Sequence, residues 1–171
     1  MKFFRDVSFV LILFLFCSNC GYRLVGYGSA LPAHIHTIAI PVFKNTSPEP
    51  NIHRDVTDAI RQVFIRDGRL QMVGTSKADL LISGNITNYQ LRAVSFSGKD
   101  IAEEYVVMIG VQVEAYDRVK KKIILEQKFT TQWDYRTASG VIGSESARFA
   151  ALNRAYTDLG DRLVSMIIEK F

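Results

Sequence analysis

The chain has 171 residues, 21 lysines and arginines against 17 acidic residues, a formal net charge of +4 and two cysteines. A length of this order makes one domain that can bury a proper core without staples. The charge is too mild to support nucleic-acid binding by itself, and both cysteines lie within the first twenty residues, so the rest of the chain has no disulfide and no cysteine-based metal site.

Lys2 and Arg5 precede an apolar run from Val7 to Phe16. The run falls short of the roughly 20 residues of a spanning helix. A charged start before a short apolar block is the layout of a secretory signal peptide. An ordinary cleavage site needs small residues just before the cut, and the nearest such group, Gly28-Ser29-Ala30, lies too far beyond the apolar block. A lipoprotein signal ends instead in small residues followed at once by a cysteine, which becomes the acylated N-terminus. In Cys17-Ser18-Asn19-Cys20, Ser18 fits that pattern, while Asn19 and Cys17 depart from its common Leu-Ala-Gly-Cys form. Cys20 is the expected lipid-bearing residue, and acyl chains at about 0.8 kcal/mol per buried methylene hold a protein on a membrane. Residues 1–19 are therefore read as the signal, 20–36 as a lipidated lead rich in glycine and small residues, and 37–171 as one domain.

Within that domain, Thr37 to Phe43 is β-branched and apolar and reads as a strand, and Lys44 to Pro50 as a loop. Asn51 stands where a helix N-cap belongs. Ile52, Val56, Ala59, Ile60, Val63 and Phe64 follow at helical spacing, and Gly68 closes the helix. Arg69 to Val73 is a short strand. Ala78 to Phe96 is a long one, with Gly84 as a candidate bulge, and Ser97 to Asp100 forms a turn. Val107, Ile109, Val111, Val113 and Ala115 alternate on one face of the next strand. Arg118 to Lys122 makes a polar turn, and Ile123 to Tyr135 returns with Leu125, Phe129, Trp133 and Tyr135 on one face. Ala138 to Gly143 reads as a loop, with Ser144 or Ser146 capping a final helix lined by Phe149, Leu152, Tyr156, Leu159, Leu163, Met166 and Ile167. The order β-α-β-β-β-β-α predicts an α+β fold: two helices packed on one face of a mainly antiparallel sheet of four to five strands.

No nucleophile elbow, Ser-x-x-Lys or phosphate-cradling glycine loop is present, so the chain reads as no enzyme and needs no cofactor. His34 and His36 would point the same way on an extended segment but lack a third metal ligand. Glu103-Glu104 is a candidate acid-base pair, read more simply as a solvated strand entrance. Arg118, Lys120, Lys121 and Lys122 cluster at a hairpin tip, with Arg92 and Lys128 as further cations. Such a cluster suits phosphates or anionic head groups; it also serves as an ordinary solvated turn. Trp133, Tyr135, Phe129 and Tyr105 read as core or as one wall of a lipid or protein contact.

Cys20-Gly21-Tyr22-Arg23-Leu24 followed by Gly26, the stretch Thr37-Ile38-Ala39-Ile40-Pro41-Val42-Phe43 with Asn45, and the pair Ala78-Asp79 heading a long strand resemble the LptE family of Gram-negative outer membranes. The likeness runs over nearly the whole chain after Cys20. It implies two helices against a sheet, no catalysis, and an outer-membrane lipoprotein lodged in the lumen of the LptD β-barrel. Such a protein supports assembly of the barrel, binds lipopolysaccharide and helps deliver it to the cell surface. The other function open to such a chain is a lipoprotein subunit or binding module of a different envelope transport complex.

Overall fold

The structure, a computed structural model, describes residues 31–98, 101–137 and 140–169. Its elements in chain order are β1 (Thr37–Ala39), β2 (Lys44–Asn45), α1 (Ile52–Asp67), β3 (Gln71–Met72), β4 (Leu80–Phe96), β5 (Ala102–Asp117), β6 (Lys122–Arg136) and α2 (Gly140–Glu169). The sheet runs β3-β1-β4-β5-β6, with β2 also joined to β4. β4, β5 and β6 form a long antiparallel meander. β1 lies parallel to both β3 and β4, and β2 parallel to β4. The α+β architecture is as expected. The sheet has six strands instead of four to five, and the extra short ones pair in parallel because α1 carries the chain back between them.

The meander follows from strict alternation. Val107, Ile109, Val111, Val113 and Ala115 are all essentially inaccessible, and their cross-strand neighbours Ile82, Ile86, Leu125 and Phe129 are buried with them. A period of two puts these side chains on one face, where they join the apolar stripes of both helices in one core. Ile52, Val56, Ile60, Val63 and Phe64 of α1 and Leu152, Tyr156, Leu159, Leu163 and Ile167 of α2 complete it.

Several local expectations change once the chain is folded. Pro41 ends β1 early, and Lys44–Asn45, expected as loop, pairs with Asn85 and Ile86 of β4. Asn51 precedes α1 in a left-handed conformation with φ 62° and makes no side-chain cap; asparagine tolerates that region. Gly68, with φ 74°, ends the helix by donating its N–H to Phe64 O at 3.2 Å. The register shifts of β4 fall between Ile86 and Asn88 and beyond Ala93, not at Gly84. Gly84 is small for another reason: the Phe43 ring lies against its backbone. α2 begins at Gly140, so Ser144 and Ser146 lie inside it and do not cap it. Phe149 and Met166, expected on its buried side, are exposed.

The motif residues between the strands have concrete tasks. Asp79 Oδ2 accepts the N–H of His36 and of Thr37, each at 3.0 Å, and the Thr37 hydroxyl at 2.8 Å. In return the Asp79 N–H donates to Thr37 Oγ1 at 2.9 Å, which locks the start of β1 to the entry of β4. These donors, led by the His36 N–H, hold the Asp79 carboxyl below the usual carboxylate range. Asn45 Oδ1 accepts the N–H and hydroxyl of Ser47 while its amide donates to Glu49 O at 2.8 Å. That turn presents Glu49 to Arg148 on α2 at 2.7 Å, and Arg148 also donates to the Tyr89 hydroxyl at 3.1 Å. Leu31 and Ile35 pack against the core, so the segment expected as a free lead joins the folded body from residue 31 onward.

Candidate functional site

The basic turn is built from its neck outward. Asp117 closes β5 and is almost fully buried. Its Oδ1 accepts the N–H groups of Val119 and Lys120, each at 2.9 Å, and its Oδ2 meets His34 Nε2 at 2.7 Å. Burial pushes this carboxyl up, but the Lys120 N–H, His34 and the Val119 N–H together outweigh it and hold the pKa below the usual range. Lys121, with φ 53°, completes the reversal into β6.

The four expected cations of this turn do not act alike. Arg118 folds back: its Nη1 donates to the carbonyls of Thr75 and Ala78, and its backbone N–H to Asp79 O at 2.8 Å. Lys120, Lys121 and Lys122 stay exposed, and among the described residues none of them joins an ion pair. Three unneutralised ammonium groups within one turn are the part of the cluster able to meet phosphate. Arg92 and Lys128 lie elsewhere, Arg92 toward the far end of β4 and Lys128 on the outer face of β6.

The His34–Asp117 contact fixes where this turn sits relative to the start of the chain. Cys20 lies outside the described residues. The stretch from Cys20 to His34 can reach at most about 50 Å when extended, and it enters the fold beside the lysines. The opposite end is the β4–β5 hairpin, where Leu91, Val94, Phe96 and Ile101 are exposed, Phe96 at 58% and Ile101 at 63%. A 16-residue β5 at about 3.4 Å per residue separates the two ends by roughly 54 Å. This apolar tip was not singled out in the sequence. Its signal was a set of large apolar residues, Leu91, Val94, Phe96 and Ile101, lying beyond Tyr89, the last buried residue of β4.

The remaining candidates separate in the fold. His34 is held by Asp117 through its ring, whereas His36 is tied in through its backbone, its N–H to Asp79 and its carbonyl to the Gln71 N–H. No group of three histidine, cysteine or acidic side chains forms a metal-binding cluster among the described residues. Glu103 and Glu104 are successive strand residues on opposite faces of the sheet and cannot share a proton. Phe129 is core, Trp133 and Tyr135 are half-buried against it, and Tyr105 stacks on Tyr135 with centroids 5.5 Å apart and planes 13° off parallel. A groove of about 430 Å³ between the helices, lined by Asp55, Asp58, Gln62, Phe149 and Tyr156, brings no nucleophile and base together. Among the described residues no helix is long and apolar enough to cross a membrane.

Solved structures share this fold. Lipoprotein B from Nitrosomonas europaea matches with a TM-score of 0.55 at 17% identity, over 88% of this chain and 92% of that one. A hypothetical protein from Chlamydia trachomatis matches at 0.55 and 11%, over 79% and 99%, and a minor lipoprotein from Acinetobacter baumannii at 0.51 and 15%, over 80% and 94%. No protein of curated function matches the sequence. The family model for LptE, described as lipopolysaccharide-assembly, matches residues 35–167. The chain belongs to the LptE family, a non-enzymatic family of lipopolysaccharide assembly.

Proposed function

We propose that the protein is an outer-membrane lipoprotein, anchored through Cys20 and facing the periplasm. In this reading it lodges in the lumen of the LptD β-barrel, assists assembly of that barrel, and binds lipopolysaccharide on its way to the cell surface. The observation that carries the proposal is the polarity of the long sheet. Unneutralised lysines stand at the end where the anchor lead enters, and an apolar hairpin tip stands roughly 54 Å away. That length exceeds the ~30 Å hydrocarbon thickness of a bilayer, so a body standing upright in a barrel would reach both interfaces. The two-layer core supplies the rigidity a plug needs. Lys120, Lys121 and Lys122 are the proposed phosphate contacts, with Arg118 holding their turn in shape.

Two experiments test this. A mild-detergent pull-down from outer membranes, with a tag after Phe171, should bring down a large heat-modifiable β-barrel in near-equal amount. Recovery of a different envelope complex instead would replace the plug with the binding-module reading. Reversing Lys120, Lys121 and Lys122 to glutamate should weaken lipopolysaccharide binding at least tenfold, consistent with loss of several charge-assisted contacts. Vesicles of anionic phospholipid, assayed in parallel, identify which phosphate source the turn prefers. Unchanged binding to both would reduce the turn to a solvated loop.

A further inference from the structure

The groove between the helices holds polar groups that the fold leaves without partners. Asp55, Asp58 and Gln62 of α1 and Phe149 and Asn153 of α2 are its exposed rim, and Tyr156 is part of its floor. The rim residues stand off the buried stripes of both helices, so the groove opens away from the sheet. Tyr156 is only 3% exposed, yet its hydroxyl has no hydrogen-bond partner among the described residues. A buried phenol ordinarily finds one. Burial, and after it the Asp55 carboxylate, pushes the Tyr156 hydroxyl up, so it stays protonated. Asp55 is thus near enough to act on that hydroxyl, but no hydrogen bond joins the two.

Asp55 is also the unmatched charge of the groove. Asp58 is paired with Arg61 at 2.8 Å, whereas Asp55 joins no ion pair among the described residues. A carboxylate in the first turn of α1 suits the helix dipole. That accounts for an acid at this position but not for the bare hydroxyl beside it. Phe149 adds an aromatic ring, 59% exposed, at the same rim.

A carboxylate, a phenol oxygen and an open aromatic face together suit a cation that has several donors and a flat surface. A guanidinium is such a group: its N–H donors form a planar fork that pairs with carboxylates, and its face stacks on aromatic rings. An ammonium answers the charge but has no face to stack. An acyl chain would strand the carboxylate and the hydroxyl away from water, and a phosphate would be repelled by Asp55. Building on the barrel reading above, we propose that an arginine side chain of the surrounding barrel wall enters this groove, donating to Asp55 and to the Tyr156 oxygen and stacking on Phe149. The helix layer then meets the wall through this groove, and the barrel is held by one copy of the chain.

The test co-expresses each variant of the full chain with a differently tagged wild type. A pull-down through the barrel then gives the ratio of the two copies retained, and two wild-type copies should share it equally. Asp55→Asn keeps the size and removes the charge; its share should fall by about fivefold or more. Asp55→Glu keeps the charge and should stay within about twofold. Tyr156→Phe removes only the hydroxyl and should fall about threefold. Asp55 is exposed and the Tyr156 hydroxyl has no bond to lose, so thermal melts of the variants should match wild type to within about 2 °C. The photo-crosslinker p-benzoylphenylalanine in place of Asn153, on the exposed rim, should capture the barrel. Equal sharing by Asp55→Asn or Tyr156→Phe, or an adduct to a second copy or to the chain itself, overturns the arginine contact and leaves the barrel reading standing. A wild type that retains no barrel removes both.

Discussion

Gly84→Ala is the most direct probe of how the core is assembled. A Cβ built at this position lies 2.7 Å from Cγ of Phe43 and closer still to its Cδ2 and Cε2. Carbon atoms in contact sit at about 3.5–4.0 Å, so the ring must retreat by roughly 1 Å. It has nowhere to go. Phe43 is buried, and its N–H donates at 3.0 Å to the hydroxyl of Thr57, which is itself wholly inaccessible on α1. Overpacking of this sort costs about 1–3 kcal/mol. Replacing a strand glycine returns roughly 0.5–1 kcal/mol, which leaves a net loss of about 1–2 kcal/mol. For a domain of this size that lowers Tm by about 3–8 °C. The single tryptophan, Trp133, gives a fluorescence signal for the melt. Phe43→Leu should cost stability alone but less in the Gly84→Ala background, because the two changes share one space. A Gly84→Ala variant as stable as wild type, or costs that simply add, would refute the claim that the Phe43 ring is seated on the β4 backbone.

Two further outcomes are expected. Gly160 marks the crossing of the helices: an added Cβ would lie 2.6 Å from Val63 Cγ2. Gly160→Ala should therefore destabilise by about 1 kcal/mol despite the helix propensity it gains, and in a Val63→Ala background it should instead stabilise, as a pair of thermal melts would reveal. Asp117 has a folded pKa below its unfolded value, so its contribution to stability is present above the ordinary carboxylate pKa and is lost as pH falls through the folded value. Asp117→Asn should lower Tm near neutral pH and leave a shallower decline on acidification. Parallel declines for variant and wild type would mean that the carboxylate is not part of the acid response.

The parts of this fold legible in the sequence are those set by local periodicity. The β5 alternation and the α1 stripe with its terminal glycine each lie within one stretch of chain, and a period of 2 or 3.6 states the buried face directly. What misled were residues whose local meaning is ambiguous. Glycines at 140 and 143 read as loop, yet α2 starts at the first and runs through the second. A long helix with a deeply buried stripe absorbs the ~1 kcal/mol that the interior Gly143 costs. Phe149 has the chemistry of a core residue and the right spacing to α2's stripe, but it lies in an open groove between the helices, across from Asp55 and Asp58.

The sequence alone determined that this chain carries an α+β fold with a lysine-rich turn. Those properties depend on composition and on the spacing of near neighbours. Only the tertiary structure decided which cations are free. Arg118 reaches carbonyls some 40 residues earlier, and His34 meets Asp117 across 83 residues. It also decided that the lysine turn stands at the end where the lead enters, that Gly84 is small for the sake of Phe43, and that β6 is an open edge. Each of these depends on where the chain returns to itself, and that is fixed by the joint burial of strands and helices in one core, which no local pattern encodes.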